Sequence, residues 1–485
     1  MGQMDKLFFK PDRAWVGDLI PYYEKGTYYA YYLHDPRIKP GEFAEETTWH
    51  LATTTDCRDF EYRGEAIPRG GNDRPNKNIY TGSVIKKGEN EYYAFYTAYN
   101  ADIQINGKSV QSVMRAFSTD LIHWKTDEDF LFVADDSMYE SFDWRDPYVF
   151  RNEEEGNYWM LLAARKKGGG AHRGGCTALC KSEDLVHWTY EKPFYAPEMY
   201  VTMECPEVFK MGEWWYLVFS TFSDRFTTHY RMARTLDGPW MIPEDDIFDT
   251  RADYAIKTAS DGRKRFAFGW IASKAGSHDF GPWEWGGTMV AHEIIQEGNT
   301  GVLRVKPTEA MKEFYSRMMP VRDLCYYNCT AQAENDEIAI QSETLGAVLF
   351  PVPEEGFELE LTVVPGESAE TGVALHTDCG MENGYFLRMN TSQHTAAWDM
   401  WPRSEQGFYQ WQIKGDIPYQ IETSRRLPES EGYFIRIFRE DDICVAYIND
   451  QVAMSTRMYD HKGGYAGIYT VGGTAKISGC RLKIK

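Results

Sequence analysis

Asp18, Asp146 and Glu204 are acidic residues that each stand about ten residues ahead of an aromatic-rich strand. Carboxyl groups crowded at one place repel one another, and burial disfavours their charged forms, so at least one keeps its proton near neutral pH. A protonated carboxyl beside an ionised one is what glycosidic bond cleavage requires. Arg145, directly before Asp146, offers a positive charge to hold that carboxyl ionised, although successive residues of a strand point to opposite faces. Trp15, Trp49 and Trp283 supply flat apolar faces on which a sugar ring stacks, and Ser83 supplies a hydroxyl, so these four are candidate binding residues. The plainer alternative makes Asp18 and Asp146 turn residues and the indoles core. Glu204 fits that alternative least, because an acid opening an apolar strand is costly without a task.

For distant acids to meet, repeated elements must carry them to a common axis. The aromatic strand recurs at Gly26-Thr-Tyr-Tyr-Ala-Tyr-Tyr, Glu91-Tyr-Tyr-Ala-Phe-Tyr, Asn157-Tyr-Trp-Met-Leu-Leu, Glu213-Trp-Trp-Tyr-Leu-Val and Arg263-Lys-Arg-Phe-Ala-Phe-Gly-Trp. With Tyr28, Tyr92, Tyr158, Trp214 and Arg265 as markers, the spacings are 64, 66, 56 and 51 residues. These somewhat exceed the roughly 40 to 50 residues of common propeller blades. A second echo, Ser118-Thr-Asp-Leu-Ile-His-Trp and Ser182-Glu-Asp-Leu-Val-His-Trp, with a weaker Thr54-Thr-Asp-Cys-Arg-Asp-Phe, suggests an Asp-containing turn and an aromatic packed between neighbouring sheets.

Five such units without a long amphipathic helix predict a five-bladed β-propeller over 1–315. The first strand of each blade lines a central channel, and the spacing places these strands at Val16 to Tyr23, Tyr80 to Ile85, Asp146 to Phe150, Glu204 to Phe209 and Tyr254 to Thr258. Asp18, Gly82, Asp146, Glu204 and Asp253 then share one level. A short helix is expected near Val305 to Tyr315, with a linker at 316–330. Period-two segments such as Phe357-Glu-Leu-Glu-Leu-Thr-Val-Val and Tyr433-Phe-Ile-Arg-Ile-Phe predict a β-sandwich over 331–485.

The chain has 485 residues, enough for two domains, and a formal net charge of −21 with 15% aromatic residues. Such acidity argues against nucleic acid and anionic membrane surfaces as partners. The first ten residues lack the apolar run of a signal peptide and no stretch approaches a membrane span, so a cytoplasmic protein is expected. Nine scattered cysteines read as reduced thiols, and the Cys176/Cys180 and Cys325/Cys329 pairs lack the further partners of a zinc site. No metal or cofactor is expected. A homodimer through sandwich edges is compatible with the sequence.

Several motifs resemble glycoside hydrolase family 32, the invertase, inulinase and levanase family, over nearly the whole chain. Arg145-Asp146-Pro147 matches the family's Arg-Asp-Pro motif, and Glu204-Cys205-Pro206-Glu-Val-Phe is similar to its Glu-Cys-Pro-Asp-Leu-Phe segment, 58 residues further on. Tyr80-Thr-Gly-Ser83 and Trp285-Gly-Gly-Thr-Met-Val-Ala-His-Glu-Ile are similar to two further segments. The run from Phe434 to Asp450 resembles the end of the family's sandwich domain.

The resemblance implies a retaining mechanism with Asp18 as nucleophile, Glu204 as general acid/base and Asp146 as transition-state stabiliser. It also implies that Arg145 orients a sugar hydroxyl or Glu204. The first motif departs from the family. Where the family reads Trp-Met-Asn-Asp-Pro-Asn-Gly, this chain has Trp15-Val-Gly17-Asp18-Leu19-Ile20-Pro21, and Leu33 stands where a Gln is usual. Fewer polar groups change which hydroxyl pattern the pocket satisfies. A terminal β-fructofuranosyl unit is the expected substrate, from sucrose, a fructo-oligosaccharide or a fructose conjugate. An arabinofuranosidase-like enzyme and a catalytically silent carbohydrate-binding protein are the alternatives.

Overall fold

The structure, a computed structural model, describes residues 6–37, 46–334, 336–402 and 421–485. It is a five-bladed β-propeller followed in the chain by a β-sandwich. Its described residues divide into two compact units. One takes the chain up to Ile247 with Asp253–Ala272 and Glu284–Leu303, and the other takes Phe248–Ala252, Ser273–Trp283 and the chain from Arg304.

The innermost strands are Trp15–Glu24, Asn78–Gly88, Tyr139–Asn152, Glu204–Met211 and Asp253–Ser260, each containing the first strand expected from the repeat. Each neighbours the next around a ring that closes from the fifth back to the first. The aromatic repeats form the second strands, which pair antiparallel with the first. Their side chains alternate between the two faces of a blade, so both faces are apolar and each packs against a neighbouring blade. Tyr31, Trp49, Tyr92 and Tyr96 thus share one core between the first two blades.

The Ser-x-Asp-Leu echo is a turn. Ser118 Oγ accepts the Leu121 amide at 2.9 Å, Asp120 Oδ1 accepts the Ile122 and His123 amides at 2.9 and 2.8 Å, and Leu121 has φ 65°. Ser182, Asp184 and Leu185 repeat it, with φ 67° at Leu185. Each turn locks its blade to the preceding one. Tyr31 donates its hydroxyl to Leu121 O, and Arg115 Nη1 donates to Leu185 O at 2.7 Å. The Trp that ends each phrase packs as expected, Trp124 edge-on to Tyr31 and Trp188 edge-on to Phe95.

The second unit is a β-sandwich built on two long paired strands, Glu337–Pro351 and Tyr465–Ile484. Its core gathers alternating apolar residues such as Leu359, Leu361, Val363, Ile435 and Ile437. The expected helix is the single turn Glu309–Lys312, capped by Thr308 Oγ1 on the Met311 amide at 3.2 Å. The boundary differs from the one placed at residue 315. The continuous part of the second unit begins at Arg304, and the stretch expected as a linker carries the strands Arg317–Met319 and Cys325–Tyr327, paired into the sandwich. Short exposed segments like Arg317-Met-Met carry no period of their own, so their pairing is not visible in sequence. Among the described residues no helix is long and apolar enough to cross a membrane.

Candidate active site

Every innermost strand carries a β-bulge at the same level. Gly17 and Asp18 lie opposite Leu33, Tyr80 and Thr81 opposite Thr97, Asp146 and Pro147 opposite Leu162, Cys205 and Pro206 opposite Phe219, and Ala255 and Ile256 opposite Gly269. Two residues facing one bend a strand and re-aim the extra side chain. Asp146, Cys205 and Ala255 hold the bulge with φ of 57°, 49° and 53°. That left-handed conformation costs energy in a non-glycine residue and persists where the surroundings enforce it. The ring of bulges turns Asp18, Thr81 and Asp146 toward one end of the channel, with Glu204 immediately before the fourth bulge.

Donors tie the three acids into one cluster. Asp18 Oδ2 accepts the Thr81 hydroxyl at 2.6 Å and Oδ1 accepts Trp270 Nε1–H at 3.0 Å, while Cys205 Sγ lies 3.7 Å from Oδ2. Asp146 Oδ2 accepts the Cys205 amide at 2.9 Å and lies 3.8 Å from Arg145 Nε. Glu204 Oε1 accepts Arg145 Nη2 at 3.1 Å and Oε2 accepts the Tyr254 hydroxyl at 2.7 Å. Arg145 is itself held by Asp143 and by Thr202 Oγ1. The adjacent pair Arg145-Asp146 would point apart on a regular strand, but Asp146 is the first residue of the bulge, which removes that constraint.

Burial, then the nearby charge of Asp146, raises the Asp18 pKa to about 6 despite its bonds from Thr81 and Trp270. Burial also raises Asp146, against the pull of Arg145. Lys257 enters the channel from the fifth blade and donates to Gly82 O at 2.6 Å, a buried ammonium that further favours the ionised form of Asp146. Burial drives the Tyr254 hydroxyl and the Cys205 thiol well above their ordinary values, so both stay protonated as donors.

The other sequence candidates fare differently. Arg145 joins the cluster. Trp15 opens the first innermost strand half-buried, its ring between Lys10 Nζ at 4.4 Å and the Arg37 guanidinium at 4.0 Å. Trp49 and Ser83 prove to be wall residues rather than open binding surfaces. Trp49 is fully buried between the first two blades and donates to Tyr80 O at 2.9 Å, and the Ser83 hydroxyl donates to Pro147 O and accepts the Val149 amide at 2.9 and 2.8 Å. Trp283 belongs to the second unit, where its ring lies 4.3 Å from Lys274 Nζ. Asp253, expected at the level of the acids, is buried and pairs with His292 Nε2 at 3.2 Å.

The divergent first motif acquires a physical meaning at Gly17. A Cβ there would lie 2.0 Å from the Trp285 indole, so the ring occupies the space a side chain at this position would need. Trp285 in turn packs 5.9 Å from the ring of Trp270, the Asp18 donor. Ile20 and Leu33 instead sit in the core between the first two blades.

Tyr254, Trp270, Thr81 and the Cys205 amide were not singled out from sequence. Thr81 lay inside the segment chosen for Ser83. On a regular strand residues 81 and 83 share a face, and the bulge at Tyr80-Thr81 is what reverses the choice. Trp270 could have been found from its place at the end of the fifth aromatic repeat, opposite Tyr254.

Residues 8–307 match the model of the glycosyl hydrolases family 32 N-terminal domain. A sucrose-6-phosphate hydrolase of Escherichia coli is 23% identical, with 93% of this chain and 88% of that protein covered. Among solved structures, an exo-inulinase from Aspergillus awamori superposes with a TM-score of 0.73 at 16% identity, covering 100% of this chain and 99% of that one. A sucrose-6-phosphate hydrolase from Lactobacillus gasseri gives 0.72 at 17% identity, covering 99% and 92%. The family match spans more than half of the chain, so the chain belongs to glycoside hydrolase family 32 and is a glycoside hydrolase.

Proposed function

We propose that this enzyme releases a terminal β-fructofuranosyl unit with retention of configuration. The observation that carries the reading is the gathering of Asp18, Asp146 and Glu204 from three blades at one end of the channel, each with donors on its oxygens. Asp18 attacks the anomeric carbon. Its Oδ1 accepts only Trp270 Nε1–H and keeps a second lone pair, while Thr81 and the Cys205 thiol hold Oδ2, so the carboxylate is oriented without being blocked. Glu204 protonates the leaving oxygen, then takes a proton from the water that releases the sugar. Arg145 and Tyr254 hold both of its oxygens in place between the two steps. Asp146 accepts hydrogen bonds from ring hydroxyls, bonds that tighten as oxocarbenium character develops.

The relatives include enzymes named for sucrose 6-phosphate, inulin and levan. Sucrose, sucrose 6-phosphate and short fructans are therefore the substrates to try. The indole over Gly17 gives the pocket an apolar wall beside Asp18, which favours a ring whose hydroxyls are read mainly by Asp146 and Arg145.

The test incubates the protein with sucrose, sucrose 6-phosphate, 1-kestose, inulin, levan and aryl α-arabinofuranosides, with products resolved by chromatography and the first-formed anomer read by proton NMR. Release of β-fructose from a fructoside is the expected result. Cleavage confined to arabinofuranosides would replace the substrate assignment, an α-anomer from a fructoside would overturn retention, and binding without cleavage would leave a carbohydrate-binding protein.

A further inference from the structure

His229 lies in the third strand of the fourth blade, 1% exposed, in a cluster that the proposed chemistry does not use. Its Nδ1 is 2.8 Å from Asp246 Oδ2 and its Nε2 is 2.9 Å from Asp224 Oδ2. Carboxylates accept and do not donate, so a ring with both nitrogens on carboxylates is satisfied as imidazolium. Arg225 Nη2 and Arg231 Nη1 also bond Asp246, each at 2.6 Å, and Arg231 Nη2 donates to the Tyr200 hydroxyl at 2.6 Å. The Tyr200 ring packs 5.8 Å from the imidazole, and Tyr195 accepts from Arg231 Nε at 3.4 Å.

Burial works against the charge on His229, but the two carboxylates outweigh it, and the ring keeps its proton above the ordinary imidazole range. The same bonds hold Asp224 and Asp246 below theirs, against the cost of burial.

Asp224 belongs to the loop between Trp214–Thr221 and Thr227–Ala233. Two residues on, Phe226 takes φ 56° and stacks on Tyr254 at 4.3 Å, with an interplanar angle of 23°. Tyr254 donates to Glu204 at 2.7 Å. Ser223 Oγ in the same loop accepts the Val201 amide at 3.1 Å, three residues before Glu204. The loop therefore reaches Glu204 along two routes, one through the Phe226–Tyr254 stack and one through the backbone that leads into the strand.

We infer that His229 is a positioning residue for Glu204, clamping the Asp224 loop so that Phe226 and Tyr254 hold the acid/base carboxyl in place. The inference rests on the role proposed for Glu204. Replacing Asp224 with Asn keeps an acceptor oxygen but removes one of the two negative charges facing the ring, which lowers the pH at which the ring turns neutral and weakens the clamp on the loop. Because misplacing a reacting group by about 1 Å costs on the order of a hundredfold in rate, a loosened loop should cost tenfold or more.

The experiment compares wild type, D224N, D224E and F226L. Asp224 is 29% exposed in its side chain and lies in a loop, so its substitution spares the blade. Nitrogen NMR of the histidine rings over a pH series, with His229 assigned from H229Q, is expected to show wild-type His229 losing its second ring proton above the ordinary imidazole range and D224N losing it at a lower pH than wild type. Turnover is expected to fall about tenfold in D224N and F226L with KM nearly unchanged, and D224E is expected to restore part of it. A wild-type ring that loses its second proton at or below the ordinary imidazole range, or a folded D224N with wild-type kcat, would overturn the inference. Wild type that cleaves no furanoside would instead overturn the function it rests on.

Discussion

Asp18 is held in a state that costs stability and serves chemistry. Its raised pKa, about 6 against 3.8, means that the native chain binds more protons than the unfolded chain between those values. Stability therefore falls as pH rises through about 4 to 6, by on the order of 3 kcal/mol for this group at neutral pH. Asp18→Asn keeps an oxygen for one donor and removes the buried charge. It is expected to raise stability at pH 7 by about 1 to 2 kcal/mol in denaturant unfolding, while reducing turnover by roughly three orders of magnitude or more. A variant less stable than wild type at pH 7 would contradict the account of the buried charge. A nucleophile must be ionised, so kcat/KM of the wild-type enzyme should fall about tenfold per pH unit below about pH 6. The apparent value also depends on Asp146, whose charge raises Asp18. A flat profile down to pH 4.5 would remove Asp18 from that role. The three acids were legible because acids that recur at one offset before a repeated strand stand out in a line of text. Tyr254 and Trp270 were not, since tyrosine and tryptophan are common throughout these strands and a hydrogen bond to a distant carboxylate leaves no mark on their neighbours.

At the scale of the strand, the bulge decides which residues face the site. Sequence alternation assigns Arg145 and Asp146 to opposite faces and Thr81 and Ser83 to the same face, and both assignments fail at the bulges. A bulge has no compulsory residue type in these strands. Asp146 and Cys205 adopt positive φ where a glycine would have announced it. The glycines that do appear mark close approach. Gly82 follows the bulge in the second blade, and a Cβ there would lie 1.8 Å from the backbone oxygen of Phe95. Backbone cannot yield as a flexible side chain does, so the strand itself must move. Gly82 O also accepts Lys257 Nζ, so that movement disturbs the ammonium beside Asp146 as well. Gly82→Ala is expected to lower stability by about 2 to 3 kcal/mol and to reduce kcat. Gly17→Ala meets an indole, not backbone, so it is expected to cost less in stability and to displace Trp285. Thermal unfolding and tryptophan fluorescence separate the two, and equal losses in both variants would refute the distinction between backbone and side-chain obstruction.

For the whole molecule, five repeated strands gave the propeller, and a change to period-two segments gave the sandwich. The path of the chain between the two units was less legible. Phe248–Ala252 and Ser273–Trp283 interrupt the last repeats and belong to the second unit. Their partners come between 106 and 206 residues later. Asp249 accepts the Ser455 amide and hydroxyl at 2.7 and 2.6 Å, and Thr250 donates to Ser455 O. Asp279 accepts the Tyr385 hydroxyl at 2.6 Å and the Tyr459 amide at 2.9 Å. Segments this short have no period of their own, so only the distant partner reveals which unit owns them. A chain ended after Leu303 keeps all five innermost strands and the three acids but strips Asp249 and Asp279 of these donors. With the sandwich gone water reaches both carboxylates, so what is lost is the net worth of the bonds themselves, about 1.5 to 3 kcal/mol for each bond to a charged group. The bonds lost at Asp249 and Asp279 therefore amount to a large part of the about 5 to 15 kcal/mol that holds a typical fold. Expression of residues 1–303 beside the full chain, compared by solubility, circular dichroism and Tm, is expected to give an insoluble or markedly destabilised product. Asp249→Asn and Asp279→Asn together in the full chain are expected to lower the Tm by part of that loss, because an amide oxygen accepts these donors more weakly than a carboxylate. A truncated chain with the Tm of the full chain would show that these segments fold independently of the sandwich.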